Sequence, residues 1–151
     1  AGPSGVREIP VEDMCVGPGK NALDEGEFLV SIKIPLKNST FSASYERFIP
    51  RNEMDIAVAA VASSVSLENG KISSCRIALA AVGPTPIFAE EASQMLIGKE
   101  PTEENIKNAS NKAKEIASPI SDMRGTVEHR KDLIEVLTRR TLSKAVERVG
   151  V

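Results

Sequence analysis

Cysteine is scarce in this chain: Cys15 and Cys75 are the only two, no C-x-x-C pair occurs, and His129 is the single histidine that could join them. That scarcity supports neither a zinc site nor a disulfide framework. Reduced thiols, with Cys75 packed in a strand, are the expectation. Excess charge of one sign is also missing. The 19 basic and 21 acidic residues are interspersed and leave a net charge of −2, so there is no electrostatic footprint for nucleic acid or an anionic membrane. Apolar runs such as Ile56 to Ala62 fall far short of the roughly 20 residues of a spanning helix, and no signal-peptide pattern opens the sequence. A cytoplasmic protein without a membrane span is therefore expected. Internal repeats and low-complexity tracts are absent as well.

What is present suffices for one globular domain: 151 residues at 41% hydrophobic content can bury roughly 70% of the surface the unfolded chain exposes. The opening Ala1-Gly2-Pro3-Ser4-Gly5 has no methionine and runs directly into a strand-like VREIPV over 6–11, as a piece cut from something longer would. Gly17-Pro18-Gly19 makes a rigid loop. Residues 28–36 alternate, with Phe28, Val30, Ile32 and Ile34 on one side, which predicts a half-buried strand that Pro35 confines to an edge or to its own end. Residues 41–49 predict another, with Phe41, Ala43, Tyr45, Arg47 and Ile49 on one face and Ser42, Ser44, Glu46 and Phe48 on the other.

The small-residue stretch from Asp55 also fits a helical period through Ile56, Ala59, Ala60, Ser63 and Leu67. Its valines and the following Asn69-Gly70 favour a strand and a type I′ hairpin, because both central turn positions need positive φ. The returning strand alternates Cys75, Ile77, Leu79 and Ala81 against Ser74, Arg76, Ala78 and Ala80, and so many alanines imply that something packs close to the sheet. Val82-Gly83-Pro84-Thr85-Pro86 ends it, since neither proline can donate to a ladder. The pattern then turns helical. Ala89, Ala92, Ser93 and Leu96 form one stripe ended by Gly98; Pro101-Thr102-Glu103-Glu104 caps a second helix carrying Ile106, Ala109, Ala113 and Ile116; and a third runs from about Thr126 to Val149. Strands first and helices afterward, without βαβ alternation, predict an α+β fold with an antiparallel sheet and helices layered on it.

Four segments in order, GPGKNALDEGEFLVSIKIP (17–35), YERFIPRNEMDIAVAAVA (45–62), RIALAAVGPTPIFAEEA (76–92) and SDMRGTVEHRKDLIEVLTRRTLSKA (121–145), resemble the C-terminal domain of the FAD-binding subunit of molybdenum hydroxylases, the carbon monoxide dehydrogenase and xanthine dehydrogenase family. The resemblance implies an antiparallel sheet of three to four strands packed with a three-helix C-terminal bundle. It implies residues 1–26 as the tail of a preceding FAD-binding half and 27–151 as the domain proper. FAD would be held mainly by that preceding domain, whose glycine-rich loops have no counterpart here. The molybdenum cofactor and the [2Fe–2S] clusters would belong to separate molybdenum and iron–sulfur subunits, and two distant cysteines cannot supply the four thiolates of a cluster.

The part implied for this domain is one wall of the flavin pocket, through Arg47, Phe48, Arg51 and Asp55, with no catalytic residue and no metal ligand. Arg47 stands where the family usually carries a lysine that reaches the flavin ring, and a cation at the N1/O2 edge stabilises the charge of the reduced ring. Met54 stands where xanthine dehydrogenases tend to be acidic, so the resemblance leaves the electron acceptor open, NAD included. The residues also have plainer readings. Arg47 could pair with Glu46 or Glu53, Arg51 and Asp55 could simply hold a tight loop, Arg76 reads as a solvated strand residue, and His129 has no partners for a base role. Alternative functions are an assembly module between flavin and iron–sulfur subunits without flavin contact, and a free-standing small-molecule domain sharing the fold.

Overall fold

The computed structural model describes residues 1–35, 39–52 and 54–149. The chain divides into two compact units, one within residues 1–36 and one within 37–151.

In the first unit a single helical turn α1 (Val11–Met14) leads into a small hairpin of β1 (Cys15–Gly17) and β2 (Lys20–Asn21). Charge organises the rest. Arg7 grips Glu27 through Nε and Nη2 at 2.8 and 2.6 Å and donates to the Ala22 carbonyl at 2.7 Å. The Arg7 side chain and the Asp24 backbone N–H together hold the Glu27 carboxyl down at about 2. The strand expected over 6–11 does not form, because Pro10 starts α1 instead. The strand expected over 28–36 does not form either, and Leu36 lies outside the described residues. Phe28, Val30, Ile32 and Ile34 are all exposed. Alternation sorts side chains between faces, but a strand also needs a neighbour for its N–H and C=O groups, and none pairs with residues 29–35 among the described residues.

The second unit is a four-stranded antiparallel sheet in the order β3 (Phe41–Phe48), β4 (Ala59–Glu68), β5 (Lys71–Ala80), β6 (Ile87–Phe88), covered by α2 (Glu90–Gln94), α3 (Glu103–Ile116) and α4 (Val127–Glu147). The expected α+β fold is present. Asn69 and Gly70 turn the β4–β5 hairpin with φ of 52° and 76°, as a type I′ turn demands. The hairpin's first strand starts at Ala59, four residues later than Asp55, because Asp55 accepts the N–H of Ile56 on its own carboxylate and spends that stretch as loop. Ser73 bulges out opposite Ser66 and Leu67, which moves buried Ile72 onto the same face as Cys75, Ile77 and Leu79.

At the other end of β5 the chain bends through 81–85 and returns as β6, two residues that the helical pattern after Pro86 had hidden. The bend is tight: a Cβ on Gly83 would lie 2.7 Å from Ile87 Cδ1. Because β6 is so short, other groups close the remaining β5 edge. Ser93 on α2 accepts the Ile77 N–H at 3.0 Å, and residues 98 and 99 exchange hydrogen bonds with Ile72. The first expected helix is shorter than its stripe, ending at Gln94 and continuing as turns to Gly98.

Thr102 and Thr126 cap α3 and α4 by accepting the N–H of Asn105 and His129. Helix α4 lies on β4 and β3, α3 on α4, and α2 on α3 and β5. The odd-numbered side chains of β4, Ala59, Val61, Ser63 and Val65, are sealed beneath this layer. One polar pair sits inside it, Ser63 Oγ and Thr141 Oγ1 at 2.8 Å, with Thr141 also bonded to the Leu137 carbonyl. Thr141→Val should cost about 1 to 3 kcal/mol in urea unfolding, because it strips a buried hydroxyl of its partner. The double variant Ser63→Ala/Thr141→Val should recover most of that loss; a double variant as unstable as the sum of the singles would show that the pair is not coupled.

Candidate functional site

Period-two alternation on β3 decides where its side chains go. Ser42 and Ser44 turn under the helices, while Ala43, Tyr45 and Arg47 stay exposed on the uncovered side. The strand register extends that side into rows. Tyr45 faces Ala62, Ala62 faces Ala78, and Ala78 faces Phe88; one row along, Arg47 faces Ala60 and Ala60 faces Ala80. The result is a floor of methyl groups between Tyr45 and Phe88, about 14 Å across at three strand spacings. Ala78 is exposed, Ala62 and Ala80 are half-buried, and Ala60 is covered. Arg76, expected as a merely solvated residue, lies with its guanidinium carbon 4.3 Å from the Phe88 ring centre.

The four expected flavin residues do not form one cluster. Arg47 and Phe48 are strand neighbours and so point to opposite faces. Phe48 turns to the helix side, its ring edge-on to His129 at 6.0 Å. This contact gives His129 a packing role. Glu46 also faces the helices, 3.8 Å from Lys144, so it is no partner for Arg47, and Glu53 lies outside the described residues.

Arg51 and Asp55 do come together. The Asp55 carboxylate, only 7% exposed, accepts the Arg51 N–H at 3.0 Å and lies 3.5 Å from Arg51 Nε, while Arg51 Nη2 donates to the Met54 carbonyl at 3.0 Å. Burial pushes the Asp55 pKa up, but the Arg51 and Ile56 N–H groups and the Arg51 charge outweigh it and leave the group below its ordinary value. This geometry is a loop lock.

One contributor carried no sequence signal strong enough to find it. Arg130, 5% exposed, donates to the Val58 carbonyl at 2.9 Å and to Asp122 at 2.7 Å, directly beneath the base of the 49–57 loop. Its only trace in the sequence is a cation in the first turn of a helix, the end the macrodipole disfavours.

Cys75 is buried on β5, where burial raises its thiol to about 12, and Cys15 is exposed. Among the described residues no group of three or more His, Cys, Asp or Glu could hold a metal ion, and no helix is long and apolar enough to cross a membrane.

Fold and open face together define an α+β domain whose helices shield one side of its sheet only. The chain belongs to the CO dehydrogenase flavoprotein C-terminal domain family, whose profile matches residues 44–145. It is 33% identical, over 97% of its length, to the carbon monoxide dehydrogenase medium chain of Afipia carboxidovorans, and 30% identical over 98% to a putative xanthine dehydrogenase FAD-binding subunit of Escherichia coli K12. It covers 51% of each of those proteins, so it spans about half the length of the curated relatives it matches. Among solved structures it superposes on carbon monoxide dehydrogenase from Hydrogenophaga pseudoflava with a TM-score of 0.93 at 31% identity, covering 97% of this chain and 51% of that one. Quinoline 2-oxidoreductase from Pseudomonas putida 86 gives 0.88 at 29% identity, covering 99% and 51%.

Asp55→Ala should open the 51–56 loop and speed tryptic cleavage after Arg51 several-fold. Because the Asp55 pKa is lowered on folding, its contribution is fully present above the unfolded value of about 4 and lost as pH falls through the lower native value. Acidification of the unaltered chain should therefore loosen the same loop. Cleavage at an unchanged rate in Asp55→Ala would contradict the lock.

Proposed function

We propose that this chain is the C-terminal domain of the FAD-binding subunit of a cytoplasmic molybdenum-dependent hydroxylase or dehydrogenase, and that it forms one wall of the flavin pocket. The observation that carries this reading is the uncovered sheet face, an alanine floor edged by Tyr45 and Phe88 with Arg47 and Arg76 at its margins. A floor of methyl groups admits a flat ring at van der Waals distance, and bulkier side chains at 62, 78 and 80 would fill that space. The residues present therefore fit a planar, electron-accepting ring. FAD, when bound, supplies the redox chemistry that takes electrons from the [2Fe–2S] clusters of an iron–sulfur subunit and delivers them to an external acceptor.

This chain's own contribution is positional and electrostatic. Arg47 would place a permanent cation beside the ring edge where negative charge develops on reduction, with the planar fork of a guanidinium in place of a lysine's point charge. Tyr45, two residues back on the same face, offers a ring surface. Arg51 and Asp55 contribute by holding the loop that follows β3, and Phe48 by fastening the end of that strand to His129. The partners implied are the N-terminal FAD-binding domain, the iron–sulfur subunit and the molybdenum subunit, which would carry the molybdenum cofactor and the substrate.

A second reading has its own support. Met54, Ile56, Ile120 and Met123 are 96%, 64%, 74% and 100% exposed on two loops that Arg130 draws together, which suits a docking rim for another subunit without flavin contact.

Arg47→Ala in the complete flavoprotein subunit separates the two. The wall reading expects the flavin potential to fall, by about 30 mV for each 1.4 kcal/mol of lost stabilisation in a two-electron couple. An unchanged potential and flavin spectrum would favour the docking rim. The 151-residue chain alone is expected neither to bind FAD tightly nor to oxidise a purine or aldehyde, and either activity would overturn the shared-pocket reading.

A further inference from the structure

A buried guanidinium at a helix N-terminus is expensive: it leaves water and faces the positive end of the dipole, so it persists only with acceptors around it. Arg130 has three. Nη1 donates to the carbonyls of Val58 at 2.9 Å and Ala81 at 3.4 Å, and Nη2 to Asp122 Oδ1 at 2.7 Å. Val58 is the last residue before β4 and Ala81 the first after β5, so one side chain ties the open end of the hairpin. Ala81 has φ of 62°, a left-handed conformation that an alanine rarely adopts, and it turns the chain where its carbonyl meets Arg130. Val58 is held from its other side too, its N–H donating to the Phe48 carbonyl at 2.9 Å. Asp122 is fixed in turn by the Arg124 N–H at 2.8 Å and by paired backbone bonds with Gly125.

We propose that Arg130, held by Asp122, is a positioning residue for the flavin-facing segment 45–58, fixing the base of the loop through the Val58 carbonyl so that β3 presents Arg47 at a set height. The proposal rests on the flavin-wall reading. It assigns Arg130 no contact with the cofactor. It also differs from a plain stability role, because a buried ion pair replaced by an apolar side chain of similar size often leaves global stability unchanged or raised, whereas nothing apolar can hold the Val58 carbonyl.

The test uses the complete FAD-loaded subunit carrying Arg130→Met, with Arg130→Lys as the conservative variant and Asp122→Ala as a second route should Arg130→Met fail to fold. Amide exchange over 48–58 is read against that of α3, together with the flavin potential, at a temperature where circular dichroism shows each variant folded. Arg130→Met is expected to raise exchange over 48–58 about tenfold with α3 unmoved and to shift the potential, Asp122→Ala to do so more weakly, and Arg130→Lys to restore part of both. Exchange unchanged in a folded Arg130→Met, or in Asp122→Ala if that is the folded variant, would overturn the proposal. Raised exchange with an unmoved potential would uphold the loop anchoring and overturn the flavin-wall reading on which it is built.

Discussion

The two-residue period of the β4–β5 hairpin divides the second unit into a side that helices cover and a side that they leave open. On the covered side Val61, Val65, Ile77 and Leu79 meet α2, α3 and α4, and two of the polar groups admitted there pair up, Ser63 with Thr141 and Ser93 with the Ile77 N–H, while the buried Thr138 hydroxyl has no partner among the described residues. Burial is so complete on that side that the helices cannot shift without exposing it. Whatever approaches the sheet from outside must use the other side, where β3, β4 and β5 offer mainly alanine, serine and two arginines. Small side chains there leave room for a flat neighbour close to the backbone.

The connection from β3 to β4 is anchored at two points. Asp55 gathers N–H groups within the loop, and Arg130 takes hold of the carbonyl just beyond it. Both fix backbone in place.

How much of this was legible in the sequence follows from how local each interaction is. The Asn69-Gly70 turn, the Thr102 cap and the alternation of β5 from Ser74 to Ala80 are decided within a few residues, and the structure shows them where the pattern placed them, whereas Ala81, expected on the face of Leu79, lies past the end of the strand in a left-handed conformation. Residues 28–35 carried an equally clean alternation and form no strand, because pairing depends on a neighbour that the pattern does not encode. Asp55 diverts a stretch whose composition suits a strand, and β6 is too short for any period to show. Arg130 was out of reach for the same reason: its acceptors Val58 and Ala81 lie 72 and 49 residues away, while its neighbours His129 and Lys131 make it look like part of a solvated helix start. The resemblance, carried by four ordered segments, located the family. The placement of the four site residues on different faces came only from the strand register.

If the uncovered sheet face and the 45–58 segment lie against the flavin, bound FAD must shield them and not the helices. Hydrogen exchange of the complete flavoprotein subunit, measured with FAD bound and after its removal, tests it most directly. Protection on FAD binding should fall on 45–58 within this domain, with α3 and the outer surface of α4 unchanged. Protection confined to the helices, or none anywhere in residues 39–149, would contradict it.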